Sequence, residues 1–124
     1  MDLLLDTNAF LRWVRADPKV PAHWISALVD PANAVFVSAA TAWEVAIKRR
    51  LGKLEFEGTP ARAVEFHGFS WIDMTADDAE HAGSMEWEHR DPFDRMLVAQ
   101  ATRRALTLVT TDAAIEAAPG VRLL

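Results

Sequence analysis

Four acidic residues, Asp6, Glu44, Asp94 and Asp112, each adjoin an apolar run that has the pattern of a buried strand or helix stripe. Unpaired carboxylates brought within a few ångströms of one another repel, and their pKa values rise. A fold keeps such a group when a cation offsets the charge, and hard oxygen donors favour Mg2+ or Mn2+ over zinc. The chemistry this suits is phosphodiester hydrolysis, in which the ion orients the phosphate, promotes ionisation of a water and offsets charge on the leaving oxygen. The histidines His23, His67, His81 and His89 show no HExxH or other metal spacing, and only His89 lies near the acids. No glycine loop for phosphate and no serine–histidine–acid arrangement is present.

The elements that must position these acids alternate between strand-like runs and helical patterns, which predicts an α/β fold with a mostly parallel sheet of four or five short strands flanked by helices. Leu3-Leu4-Leu5 reads as a buried strand ending at Asp6, with a helix through Phe10, Leu11 and Val14 behind it. Val35-Phe36-Val37 is a second strand, and Ser38 offers the cap of a helix running to about Leu51. Trp43, Ile47 and Leu51, at i, i+4 and i+8, predict the core stripe of that helix, with Glu44 at its border. Trp71-Ile72 is a short strand, Thr75 starts a helix, and Asp91-Pro92 opens another that runs to about Ala105. Leu106 to Val109 is a strand, and Val121-Arg122-Leu123 a final edge strand. In a parallel sheet Asp6 and Asp112 then share the carboxyl edge, where open α/β folds bind ligands. Asp94 lies on the inward stripe of Leu97, Val98 and Ala101.

Each aspartate also has a purely structural account. Asp6 and Asp112 precede helices as caps, and Asp91 to Asp94 has the spacing of an N-terminal capping box. Glu44 is inside its helix, where its ordinary partner is Lys48 one turn on.

At 124 residues and 51% apolar composition the chain predicts a single folded domain, residues 1–124. It has no cysteine, which excludes disulfides and thiolate sites and fits a reducing compartment. The start, Met1 to Asp6, has neither a basic lead nor a long apolar run, so a cytoplasmic protein without membrane association is expected. The net charge of −5 is unusual for a nucleic-acid binder, unless the acids hold cations. Two basic groups stand out locally, Lys48, Arg49, Arg50 and Lys53, and Arg90, Arg95, Arg103 and Arg104.

Leu3-Leu4-Leu5-Asp6-Thr7-Asn8-Ala9-Phe10-Leu11 resembles the opening motif of PIN domains, particularly bacterial VapC-type toxins of toxin–antitoxin pairs. Ser38 to Lys48 with Leu51-Gly52-Lys53-Leu54, His89 to Ala101, and Leu108-Val109-Thr110-Thr111-Asp112 resemble the second, third and fourth motifs, in order. The resemblance implies that Asp6, Glu44, Asp94 and Asp112 are catalytic, metal-binding acids of an Mg2+- or Mn2+-dependent endoribonuclease. Thr7 and Asn8 would support the first carboxylate and Ser38 would support Glu44. Asp91 ranks below the four because its capping role suffices, and Arg95 would steady the acids or meet phosphate. An RNA substrate, a cognate antitoxin and a homodimer are the implied partners.

Two other classes compete. A haloacid-dehalogenase-type phosphatase also begins with an aspartate after a strand, but needs an acid two residues on, where this chain has Asn8. A non-catalytic binding module would use the acids only as helix caps.

Overall fold

The computed structural model describes residues 1–124. The chain runs β1 (Asp2–Leu5), α1 (Thr7–Val14), α2 (Ala22–Val29), β2 (Ala34–Ser38), α3 (Ala39–Arg50), α4 (Pro60–Phe66), β3 (Ser70–Ile72), α5 (Ala76–Ser84), α6 (Pro92–Arg103), β4 (Thr107–Val109), α7 (Ala113–Glu116) and β5 (Arg122–Leu123). The sheet has five strands in the order β3-β2-β1-β4-β5, and every pair is parallel. No helix is long and apolar enough to cross a membrane.

β1 is the centre of this arrangement, and its side chains alternate between the two faces of the sheet. Leu3 and Leu5 join Phe10 of α1, Trp24 of α2, Val45 of α3 and Val64 of α4 in one core. Leu4 joins Leu97 and Val98 of α6, Leu108 of β4 and Ile115 of α7 in the other. Strand order reverses beside β1, because β2 and β3 lie on one side of it and β4 and β5 on the other. That reversal opens a crevice at the carboxyl ends of β1 and β4.

Six of the seven helices, all but α2, start where a side chain accepts an otherwise unpaired amide. Asp6, Ser38, Thr59, Thr75, Asp91 and Asp112 each do so as N-caps. After α3, Gly52 takes φ +71°, a left-handed conformation that glycine adopts without a steric cost, and this turns the chain away.

The core stripe expected on α3 is displaced by one position. Ala40, Thr41, Glu44 and Val45 are its buried residues, whereas Trp43 and Leu51 are 55% and 61% exposed. The small Ala40 and Thr41 let the helix approach the sheet, and the large Trp43 packs outside, edge-on to Phe93 at 5.2 Å. Polar residues within the buried stripe hid it from the hydrophobic pattern.

An ionic knot ties α5 to α6. Asp78 completes a capping box with Thr75, is fully buried, and pairs with Arg103 and with Arg104 Nη2 at 2.7 Å. Burial pushes its carboxyl up, but hydrogen bonds from Arg104, the Thr75 amide, Gln100 and Arg103 outweigh that and hold it well below the usual carboxylate range.

Leu97→Ala should cost about 2–5 kcal/mol in chemical denaturation. Trp43→Ala, at a residue more than half exposed, should cost clearly less, an aromatic contact of about 0.5–1.5 kcal/mol plus the burial of less than half a side chain. Equal losses would contradict the outward placement of Trp43.

Candidate metal centre

The carboxyl end of β1 delivers Asp6 into the crevice. Its backbone N–H donates to the Val109 carbonyl of β4 at 3.1 Å, which fixes the residue between the central strands. Its Oδ1 accepts the Ala9 N–H at 2.7 Å, so the carboxylate caps α1 while remaining only 2% exposed. Burial pushes the Asp6 carboxyl up to about 6; the Thr110 hydroxyl and Ala9 amide pull it down, and the charges of Asp94 and Asp112 raise it further. Asp112 hangs from the end of β4. The Thr110 hydroxyl accepts its backbone N–H at 3.0 Å, and its Oδ1 accepts the Ala114 N–H at 2.9 Å.

Asp94, in the first turn of α6, reaches the same edge. Its Oδ2 lies 2.7 Å from His89 Nε2. It makes no capping box with Asp91, whose Oδ1 instead takes the Phe93 and Asp94 amides at 2.9 and 3.1 Å. Burial raises the Asp94 carboxyl above its ordinary value; His89 works against this, while Asp91 and Glu44 add to it.

Glu44 sits differently. Its Oε1 accepts the Thr7 hydroxyl at 2.6 Å and its Oε2 pairs with Lys48 Nζ at 2.6 Å. Thr7 also bonds the buried Thr41 at 3.1 Å. The hydrogen bond to Glu44, with the neighbouring acidic charges, raises the Lys48 pKa despite some burial. Glu44 therefore already has a counter-ion.

A pattern emerges among the aspartates. In each of Asp6, Asp94 and Asp112 one carboxylate oxygen is anchored, by Ala9, His89 and Ala114; the other has no hydrogen bond within 3.5 Å, and at Asp6 the Thr110 hydroxyl lies near enough to favour the charged form. These are the hard oxygen donors that Mg2+ or Mn2+ takes, so the donor set fits such an ion. The expected tight cluster of four acids is not formed, however. No three His, Asp or Glu side chains stand close enough to enclose an ion between them. The aspartates share one edge and feel one another's charge without closing on a point.

A profile of one family, the PIN domain, matches residues 3–121. The chain belongs to the PIN domain family. PIN domains are nucleases, and they generally use divalent metal ions. Solved structures with similar folds include VapBC2 from Rickettsia felis bound to a DNA fragment from its promoter, at 17% identity and a TM-score of 0.73, covering 100% of this chain and 98% of the other. DNA-bound VapBC from Salmonella typhimurium matches at 20% identity and TM-score 0.68, covering 100% and 97%. A toxin–antitoxin complex from Klebsiella pneumoniae matches at 23% and 0.65, covering 96% and 94%. At these identities the likeness concerns the fold. No curated protein sequence matches the chain.

Within this PIN domain the supporting residues differ from expectation. Thr7 supports Glu44 rather than Asp6, because its hydroxyl points toward α3. Asn8 is exposed and its side chain makes no hydrogen bond. Ser38 is buried and accepts the Ala40 N–H at 3.0 Å, so it organises α3 without touching Glu44. Arg95 makes no direct contact with the acids and reaches Asp94 only through His89. Its guanidinium donates to the carbonyls of Ala82, Met85, Trp87 and His89 at 2.6–3.0 Å, clamping the segment before α6. Thr41 and Thr110 are the polar partners that sequence reasoning missed. A β-branched residue beside a strand looks like strand or core, and nothing local marks its hydroxyl as a partner.

The basic groups are likewise largely engaged inside the fold. Arg49 bonds the Phe56 and Gly58 carbonyls, Arg103 and Arg104 hold Asp78, and Lys48 holds Glu44.

Because the folded Asp6 pKa, about 6, lies above its unfolded value near 3.8, the folded chain binds this proton more tightly. Without divalent ions its ionisation therefore costs stability as pH rises from about 4 through 6, by roughly 3 kcal/mol in full. Asp6→Asn keeps an oxygen for the Ala9 amide and removes this titration. In EDTA, melting temperature should fall more steeply between pH 4.5 and 7.5 (roughly the titration range) in the wild type than in Asp6→Asn. Parallel curves would refute the assignment.

Proposed function

We propose that the protein is a metal-dependent endoribonuclease that hydrolyses RNA phosphodiester bonds, the toxin of a type II toxin–antitoxin pair. The observation that carries this reading is the set of open carboxylate oxygens on Asp6, Asp94 and Asp112 at the switch of the sheet. These residues would hold Mg2+ or Mn2+, which supplies Lewis-acid charge to a water and to the phosphate. The protein's part is positional. The Ala9 and Ala114 amides and His89 hold the three carboxylates in place before substrate arrives, which reduces reorganisation during the reaction. Glu44, buried and neutralised by Lys48, joins as a ligand only when Lys48, 43% exposed, swings away. Asp91 serves as the cap that aims α6.

The fold shared with the Rickettsia felis and Salmonella typhimurium VapBC structures supports an antitoxin as protein partner. RNA substrate, homodimer, a single domain over residues 1–124 and cytoplasmic location complete the proposal. A non-catalytic module has one observation in its favour, since Asp6 and Asp112 do cap helices. Capping occupies only one oxygen of each, and Asp94 caps nothing. The phosphatase reading has no support at Asn8, which is not an acid.

Purified protein should cleave RNA with Mg2+ or Mn2+ and not in EDTA, and Asp6→Ala and Asp94→Ala should lose that activity. Undiminished cleavage in both variants would end the proposal, and turnover of small phosphate esters alone would favour the phosphatase. Mg2+ at a hundred times its Kd should add about 2.7 kcal/mol to wild-type stability. Asp94→Asn should melt higher than wild type without metal and respond less to Mg2+. A wild type whose melting temperature ignores Mg2+ would support the capping-only module.

A further inference from the structure

An open cleft of about 860 Å3 lies between α7 and the segment before α6. Its walls are Glu86, Trp87, Glu88 and His89 on one side and Ala114 and Ala117 of α7 on the other. Its volume is within the ~300–1,000 Å3 usual for sites that take small organic groups. Two of its residues connect it to the candidate centre: His89 holds Asp94 at 2.7 Å, and the Ala114 amide is held by Asp112 at 2.9 Å. The cleft therefore adjoins the edge at which the aspartates stand.

The walls are suited to a base and unsuited to a phosphate. The Trp87 and His89 rings, 4.8 Å apart at 32° and so partly stacked on each other, both line the cleft. Arg95 fixes them, with its Cζ 5.9 Å over the Trp87 ring and its Nη1 donating to the Trp87 and His89 carbonyls. Bases stack on aromatic rings. Glu86 and Glu88 are exposed and are in no ion pair with a basic side chain. Their charge repels phosphate, while carboxylates accept hydrogen bonds from an exocyclic amine of the kind cytosine carries at N4.

We propose that this cleft is a nucleobase subsite that selects a base bearing an exocyclic amine over uracil, through stacking beside Trp87 and His89 and acceptance by Glu86 and Glu88. The proposal rests on the nuclease reading for its substrate, but its test does not depend on cleavage. Cytidine and uridine are the discriminating pair, since they differ chiefly in the amine or carbonyl at that edge.

The full-length 15N-labelled chain, in EDTA, would be titrated with cytidine, uridine, ribose 5-phosphate and N-methylguanidinium. The signals to follow are the Trp87 indole N–H and the Ala114 and Ala117 amides. Cytidine should shift all three and bind at least about fivefold more tightly than uridine. The double variant Glu86→Gln/Glu88→Gln should bring the two nucleosides within about twofold, the selection by charge-assisted acceptance having been lost. Ala117→Phe, at an exposed position, should fill the cleft and abolish both responses. Equal affinities for cytidine and uridine in the wild type, the same signals moved by ribose 5-phosphate, or shifts that survive Ala117→Phe would overturn the proposal. Tighter binding of N-methylguanidinium than of cytidine would also overturn it and assign the cleft to a protein's arginine. RNA cleavage with Mg2+ on the same preparation separates the two readings. Cleavage without a nucleoside response removes only the subsite, and a cytidine response without cleavage removes only the nuclease.

Discussion

The structure depends on a carboxylate kept out of water at the point where its sheet changes direction. Asp6 leaves the central strand, is stitched to β4 through its own amide, and is held by the first turn of α1. Solvation cannot offset its charge there, so its carboxyl holds a proton far more tightly than a surface aspartate would. Everything around it follows from how that charge is managed. One oxygen is satisfied by the backbone, and the other faces an edge where Asp94 and Asp112 add to the negative potential.

The fold distributes its cations with the same logic. Charges meant to stay neutralised are paired internally: Asp78 with Arg103 and Arg104, and Glu44 with Lys48. The three aspartates at the switch receive no lysine or arginine. Asp94 has only His89, a partner whose charge is conditional. A net charge of −5 is thus concentrated in its effect, because much of the basic side-chain inventory is consumed in building the scaffold. Pairing a buried charge adds little net stability but leaves a severe penalty if one partner is lost, which makes α5 and α6 a rigid support for the acidic edge. Arg95 does similar work on uncharged acceptors, by holding the carbonyls of the segment that carries Trp87 and His89.

Much of this was legible in the chain. Strands β1, β2 and β4 are apolar runs with a polar residue at each end, and caps at Asp6, Ser38, Asp91 and Asp112 follow from side chains that accept amides locally. From these come the α/β class, the parallel order of elements and the arrival of Asp6 and Asp112 at one edge. Such features depend on residues within about one turn of each other, which is the range that sequence patterns report. The core stripe of α3 was misread because Thr41 and Glu44, polar yet buried, interrupt it, while Trp43 extends an apolar period that faces outward.

Residue types and their order by themselves determined the fold class, the helix starts and the candidate acids. Only the tertiary structure decided who partners whom: Thr7 and Lys48 on Glu44, Thr110 by Asp6, His89 on Asp94, and Arg95 on four carbonyls. It also decided that the aspartates share an edge without forming a closed cage. The physical reason is range. A cap is set by torsions within one turn, whereas the meeting of side chains from distant segments is set by how two cores pack against one sheet, and no local pattern encodes that distance.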